Sequence, residues 1–322
     1  MKICIYGTGA VGGYFGGRLA QAGHDVTFIA RGRHLEAIRA NGLSVQSING
    51  DFTIHPATAT DRPDQVGLVD VVLCCVKSWQ VAEAAASMRA FIGPETIVIP
   101  LQNGVEAHAV LSDALGSERV LPGLCKLITM IDRPGRIRHA GADPYLAFGE
   151  MDGRTSPRAQ AIARAFSQSQ GMSVHLSQNI FAQLWKKFML IAPWGGIGAL
   201  TRTPIGVIRS LPETRQMLMD SIREVHAVAR ANGISIEATA IQDTIAFIDK
   251  LPPEGTASMQ RDIMDGRPSE LHEQSGAVVR YGEKGDVPTP VSRFIYHSLL
   301  PQEHESRQKQ KTTVSGNSNS SS

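Results

Sequence analysis

The chain has 322 residues, 42% of them hydrophobic and 19% charged, a globular profile long enough for two domains and a large core. A formal net charge of +2 gives no electrostatic footprint for a nucleic acid or a membrane surface, and no run of about 18 apolar residues could cross a bilayer. The start, MKICIYGTG, passes directly into a strand and a glycine turn instead of a signal peptide. Cys4, Cys74, Cys75 and Cys125 show neither C-x-x-C nor zinc-ligand spacing. Cys4, Cys74 and Cys75 sit in apolar runs, where a thiol behaves as a small buried hydrophobe. A reduced, cytoplasmic protein without disulfides and without a metal is therefore expected.

Residues 2–6 read as a short apolar strand and 11–22 as a helix closed by Gly23. Between them, GTGAVG carries Gly7, Gly9 and Gly12 as G-x-G-x-x-G. The pattern is weak alone, but here it follows a strand and opens a helix. Gly7 permits the tight turn, Gly9 lets backbone approach a pyrophosphate, and Gly12 allows close packing of helix on strand. With Ala10 and Val11 it puts free N–H groups and the positive end of a helix dipole against phosphate. The plainer alternative is an ordinary glycine turn.

Residues 25–30, DVTFIA, form a second strand. An NAD site usually has Asp or Glu at this strand's end, bonding the ribose 2′-OH. This chain reads RGRH there, with Arg31 and Arg33. A guanidinium can pair with the 2′-phosphate of NADP through charge-assisted bonds, so NADP is the predicted cofactor and Arg31 its ligand. A solvated basic turn is the alternative.

Residues 69–76 and 96–101 are continuous apolar runs, as strands buried on both faces of a parallel sheet require. The first runs into Lys77 and the second into Gln102-Asn103-Gly104. Ligands of doubly wound sheets bind outside the carboxyl ends of the strands, which aims Lys77 and Asn103 at cofactor and substrate. A loop lysine and a turn Asn-Gly are the structural alternatives. Residues 120–176 are strand-rich and irregular. The fold class expected is an α/β Rossmann-type doubly wound parallel sheet over residues 1–177, followed by an all-α domain over 178–305. Residues 306–322 are polar and low in complexity, so disorder is expected there.

The second half opens on SQNIFAQLWKKFMLIA. Ser177 is placed as the helix cap. Ile180, Leu184, Phe188 and Ile191 form an apolar stripe, and Lys187 falls on it, whereas Lys186 points away to solvent. An ammonium on an apolar face is costly unless something uses or pairs it; the alternative is a lysine snorkelling at the rim. Pro193-Trp194-Gly195-Gly196 should then break or kink the helix. Residues 213–231 carry Leu218, Ile222, Val225 and Ala229 at helical spacing and stop at Asn232-Gly233. Ser258 falls in a helical stretch interrupted at Gly266-Arg267-Pro268. Ser269 is placed as the cap of the next helix, with Glu270 in its first turn, where the dipole alone accounts for a carboxylate.

Taken together, GTGAVGGYFGGRLAQAGHDVTFIAR, VKSWQ, PLQNG, RPGRIRHAG, Trp185-Lys186-Lys187, ALTR at 199–202 and SMQRD…GRPSEL resemble the ketopantoate reductase (2-dehydropantoate 2-reductase) family. They occur in that family's order over residues 1 to about 300. The resemblance implies a Rossmann domain followed by a helical domain. It implies that Lys187 is the catalytic lysine, acting as general acid to the forming alkoxide. It further implies that Glu270 helps hold substrate and lysine, that Ser258 contacts the substrate carboxylate, and that Asn103 and Lys77 lie near cofactor and reacting carbonyl. One departure stands out: the best-known members have asparagines four and eight residues after the lysine, and here those positions are Ile191 and Gly195. A more apolar or roomier 2-oxo acid pocket follows as an expectation.

The reading is therefore NADPH-dependent reduction of a 2-oxo acid to a 2-hydroxy acid in the cytoplasm, with ketopantoate, and so pantothenate biosynthesis, the leading candidate. Its partners would be a small-molecule substrate and a second copy of the chain, with neither nucleic acid nor membrane. Two alternatives stay open. One is a related dehydrogenase acting on another 2-oxo or hydroxy acid, of β-hydroxyacid or opine type. The other is an NADP-binding regulator without turnover.

Overall fold

A computed structural model describes the backbone of residues 1–318 and the side chains of residues 1–310. Packing divides the chain into two units: Met1–Gln102 with Glu106–Ile180, and Asn103–Val105 with the chain from Phe181 onward.

The first unit runs β1 (Lys2–Tyr6), α1 (Ala10–Gln21), β2 (Asp25–Ile29), α2 (Gly32–Asn41), β3 (Leu43–Ser47), β4 (Phe52–Ile54), β5 (Thr58–Thr60), β6 (Val69–Cys74) and α3 (Val81–Met88). It continues through β7 (Ile92–Pro100), α4 (Ala107–Leu115), β8 (Gly123–Arg133), β9 (Arg136–Phe148), α5 (Pro157–Phe166) and β10 (Ser173–Leu176). One sheet is all parallel, in the order β5-β2-β1-β6-β7. That is the spatial order of the first five strands of a dinucleotide-binding fold. Its apolar runs are continuous because both faces are covered. Ile3, Ile5, Val71, Leu73, Ile97 and Ile99 feed one core, while Cys4, Tyr6, Val72, Cys74 and Val98 feed the other, against α3 and α4.

The irregular stretch after residue 120 joins β3 and β4 in a second, mixed sheet, in the order β10-β9-β3-β4 with β8 on β9. Helix α1 lies between the two sheets, and its glycines explain how. A Cβ at Gly12 would fall 2.8 Å from Ile5 Cγ2, and one at Gly16 2.7 Å from Phe28 Cε1, both in the parallel sheet. One at Gly13 would fall 2.7 Å from Ile137 Cγ1, and one at Gly17 2.9 Å from Phe52 Cε2, both in the mixed sheet. Two Gly-x-x-x-Gly faces thus let one helix touch both sheets at backbone distance. Arg18, 3% exposed, closes this layer. Its guanidinium lies 4.2 Å from the Phe52 ring centroid and donates to the Asn49 and Gly50 carbonyls.

The second unit is helical: α6 (Ile180–Thr201), α7 (Ile205–Ser210), α8 (Pro212–Ala231), α9 (Thr239–Lys250), α10 (Ser258–Met264), α11 (Ser275–Lys284) and α12 (Pro290–Ser318). No strand follows β10 among the described residues. Trp185 packs edge-on against Phe188 and Tyr281, with centroids 5.5 and 5.3 Å away. Glu224 of α8 caps α12, accepting from the N–H groups of Val291 and Ser292 at 2.7 and 2.9 Å and from the Ser292 hydroxyl at 2.6 Å.

Several local expectations are corrected here. Helix α6 continues through Pro193-Trp194-Gly195-Gly196 without a break. A Cβ at Gly196 would lie 2.7 Å from Ile295 Cγ2, and one at Gly198 2.4 Å from Gln260 Oε1, so these glycines serve close helix packing. That packing outweighs the cost of about 3 kcal/mol for an interior proline. Ser177 precedes the helix by more than a cap position, and its hydroxyl accepts from Asn179 N–H at 3.1 Å. The helix after Pro268 begins only at Ser275, which leaves Glu270 in a turn. Residues 306–318, expected as part of a disordered tail, continue α12, and Ser306 is buried; residues 319–322 of that tail lie outside the described residues.

Candidate functional site

The glycine turn follows β1. Thr8 ties it to the end of β2, donating from both its N–H and its hydroxyl to the Ile29 carbonyl at 2.8 and 2.9 Å. Gly7 has φ +101° and passes so close to β6 that a Cβ would stand 2.8 Å from Val76 N. At Gly12 a Cβ would meet the Gly7 carbonyl at 2.3 Å. Gly9 is different: its φ is −82° and no protein atom lies within 4 Å of where its Cβ would be. Neither backbone conformation nor packing requires glycine there, so what it leaves is space beside the helix start. Helix α1, which begins Ala10-Val11-Gly12, has no side-chain cap and no acid in its first turn. A phosphate group supplies what that terminus lacks, so the residues fit a dinucleotide pyrophosphate.

Arg31 is the residue before α2, whose first turn also lacks a side-chain cap and an acid. Its guanidinium pairs with Glu83 at 3.4 Å, with the two side chains 64% and 66% exposed. Such a pair is weak and exchangeable. Lys77 is exposed beyond β6, its ammonium 5.7 Å from the Trp79 ring centroid. Gln102, which sequence reasoning passed over, donates from Nε2 to the carbonyls of Cys74 and Val76 at 2.9 and 3.0 Å. It locks the ends of β6 and β7 together just before Asn103. The four cysteines are unbonded to one another. Burial pushes the Cys74 thiol up to about 11 and raises those of Cys4 and Cys75 further, so they remain protonated and inert.

The second unit holds the remaining candidates. Lys187 is half-buried on α6. Its neighbour Lys186 is 42% exposed and pairs with Glu237 at 2.6 Å, so the solvent-facing lysine has an ionic partner. Ser258 opens α10 and is half-buried. Glu270 is 4% exposed. Its Oε2 accepts from Asn103 Nδ2 at 3.1 Å and from Gln274 Nε2 at 3.3 Å. Asn103 and Glu270, 167 residues apart, thus meet directly. Lys187, Ser258, Asn103 and Glu270 belong to the second unit, whereas the glycine turn, Arg31 and Lys77 belong to the first. Gly195 lies against the same group: a Cβ there would sit 3.0 Å from Met259 Cε and 3.4 Å from Gln274 Oε1. The only sequence signal for Gln274 was its spacing of four from Glu270, one turn along the chain.

Glu273 lies beside this group, and a Cβ at Gly104 would stand 2.9 Å from its carbonyl oxygen. Burial pushes its carboxyl up from 4.5 to about 7, with Glu270 and Glu303 adding to the rise and Arg307 opposing it. A carboxyl raised in the folded state contributes stability below its unfolded value, and that stability is lost as pH rises through about 7. Glu273→Gln is therefore expected to melt higher than the parent at pH 8. The gap of about 1–2 kcal/mol, a few degrees in Tm, should close at pH 5. Equal gaps at both pH values in a calorimetric series would refute it.

Comparison with known proteins places this geometry. The family model described as ketopantoate reductase PanE/ApbA matches residues 3–153, and that described as ketopantoate reductase PanE/ApbA C terminal matches residues 179–303. The chain is 30% identical over 305 residues to an oxidoreductase of Bacillus subtilis (strain 168), YkpB, named as uncharacterized; the match covers 95% of this chain and 100% of the relative. It is 28% identical to a 2-dehydropantoate 2-reductase of Mesorhizobium japonicum, covering 90% of this chain and 94% of that one. The crystal structure of a PanE/ApbA family ketopantoate reductase from Ralstonia eutropha JMP134 superposes with a TM-score of 0.87 at 30% identity, covering 95% of this chain and all of that one. The parallel sheet, the open glycine turn and the helical second unit agree with these matches: the chain belongs to the ketopantoate reductase family, and is an oxidoreductase of the NAD(P)H-dependent kind.

Proposed function

We propose that this protein uses NADPH to reduce a 2-oxo acid to the corresponding 2-hydroxy acid, with ketopantoate the leading substrate, as a step of pantothenate biosynthesis in the cytoplasm. In this reading the first 177 residues bind the cofactor, residues 178–305 bind substrate and catalyse, and the working form is a homodimer. The observation that carries it is the hydrogen bond of Asn103 to the buried carboxylate of Glu270, within a unit that also contains Lys187 and Ser258. The two amides hold the Glu270 carboxylate in one place, as the reading requires of an acid that orients a lysine.

Gly7, Gly9, Ala10, Val11 and Gly12 would cradle the pyrophosphate, and Arg31 the 2′-phosphate. Lys77 and Asn103 would hold the nicotinamide end and the reacting carbonyl. When bound, NADPH supplies the hydride. Lys187 stabilises the negative charge growing on the carbonyl oxygen and donates a proton to it. Glu270 orients Lys187, and Ser258 holds the substrate carboxylate. One variant isolates the cofactor part: Gly9→Ala meets no protein atom, so its Tm should stay within about 1 °C while NADPH affinity falls by about tenfold or more. Unchanged NADPH affinity by calorimetry would remove the turn from the cofactor site.

A second reading has its own observation. Ile191 and Gly195 stand where amides are expected in the family, and Met259 and Gln274 crowd the position of the missing side chain at 195. The loss of both amides favours another, more apolar 2-oxo acid, while Met259 and Gln274 fill the space at 195. NADPH oxidation followed by absorbance against ketopantoate and a graded series of larger 2-oxo acids separates the readings. Tight NADPH binding with no turnover of any 2-oxo acid would instead support a regulator.

A further inference from the structure

Glu303 is the most deeply buried acid on α12, its side chain 0% exposed, and it faces neither solvent nor a second helix start. Both its oxygens accept from Ser269 N–H, at 3.2 and 3.1 Å, and Oε2 also accepts from the Ser269 hydroxyl at 2.5 Å. Arg307, one turn further on, donates from Nε to Glu303 Oε1 at 2.5 Å and from Nη2 to the Ser269 carbonyl at 3.0 Å. The Ser269 hydroxyl in turn accepts from Leu271 N–H at 3.2 Å. The N–H, the carbonyl and the hydroxyl of Ser269 are thus all held, and the clamp grips the residues on either side of Glu270. Two residues beyond it, His272 Nδ1 meets the Tyr296 hydroxyl at 2.8 Å. Tyr296, Glu303 and Arg307 are spaced seven and four apart, one face of a helix.

Burying an ion pair adds little stability compared with apolar packing, because desolvation offsets the attraction. Fixing a backbone segment is what it does well, since its charge-assisted bonds are short and directional. The segment fixed here has no regular hydrogen-bonding ladder of its own, lying between α10 and α11. We propose that Glu303 and Arg307 are positioning residues for Glu270: the clamp on Ser269 sets the turn from which the Glu270 carboxylate reaches Asn103. This rests on the assignment of Glu270 to the active site made above.

The test compares Glu303→Ala and Arg307→Lys with Glu224→Ala, which removes a buried carboxylate of α8 that caps the N-terminus of the same helix, α12. Assayed below every variant's Tm, Glu303→Ala should lower kcat by about 10²-fold with NADPH affinity unchanged, Arg307→Lys should keep part of the activity, and Glu224→Ala should lose stability but keep kcat. Equal kcat losses in Glu303→Ala and Glu224→Ala would overturn the proposal. Should Glu303→Ala fail to fold, Arg307→Ala is read against Arg307→Lys by the same kcat comparison, and equal kcat in those two overturns it. If the wild type turns over no 2-oxo acid, the assignment of the reaction fails by itself. The positioning claim is then decided by crystal structures: it stands if the 3.1 Å Asn103–Glu270 bond is lost in the clamp variants, and falls if the bond persists.

Discussion

Lys187→Ala is expected to lower kcat for 2-oxo acid reduction by about 10²–10⁴-fold while leaving NADPH affinity within about twofold. The charge that matters appears only as the carbonyl oxygen becomes an alkoxide. A group that meets that charge acts on the transition state far more than on the bound ketone. Lys187 is suited to this by its place on α6, half-buried between apolar positions on a helix whose other faces pack against the unit's core. Lys186 provides the internal control. It has the same charge one residue away, but is engaged by Glu237 at 2.6 Å. Lys186→Ala should leave kcat within about threefold, because an exposed pair contributes little. If the two variants lost equal activity, the lysine assignment would be wrong. If Lys187→Ala raised KM alone, the lysine would bind substrate without serving as the acid.

The second large effect concerns the cofactor. Arg31→Ala should reduce the preference for NADPH over NADH, measured as a ratio of kcat/KM, by about 10–100-fold, the worth of one or two charge-assisted bonds to a phosphate. Arg31 is held on the surface by Glu83 and adjoins the uncapped start of α2. A 2′-phosphate placed there would have two sources of attraction, a guanidinium and a helix terminus, with the Glu83 carboxylate as its competitor for the guanidinium. Because the site is exposed, the preference should also weaken with added salt, as screened contacts do. An unchanged ratio in the variant would transfer the discrimination to Arg33 or leave the chain indifferent to the phosphate.

The parts of this protein legible in the sequence share one property: each is set within a few residues. The glycine turn, the uninterrupted strands and the helix ending at Asn232-Gly233 follow from local sterics and from hydrophobic period. The structure departs from the local pattern at Ser269 and in the Pro193–Gly196 segment for the converse reason. A serine before an apolar run is a good local cap, but Ser269 is claimed by Glu303, 34 residues away. Pro193 with Gly195 and Gly196 is a local breaker, yet those glycines are where Met259 and Ile295 pack closely on α6. At Ser269 and in the Pro193–Gly196 segment a long-range contact outweighed a local preference worth about 1–3 kcal/mol. The same holds for α12 beyond residue 305, where the composition is polar but Glu303, Ser306 and Arg307 are tied down.

The sequence by itself determined the fold class, the glycine turn before α1, the basic end of the second strand and the choice of Lys187 as the lysine to test. All of these depend on residue type at fixed spacing along one or two elements. Only the tertiary structure decided that α1 is gripped by two sheets, that Asn103 and Glu270 meet, and that a carboxylate and a guanidinium on the last helix hold the turn between them. Those facts depend on which distant segments pack together. Packing is the sum of many weak, non-local terms that no single stretch of chain encodes.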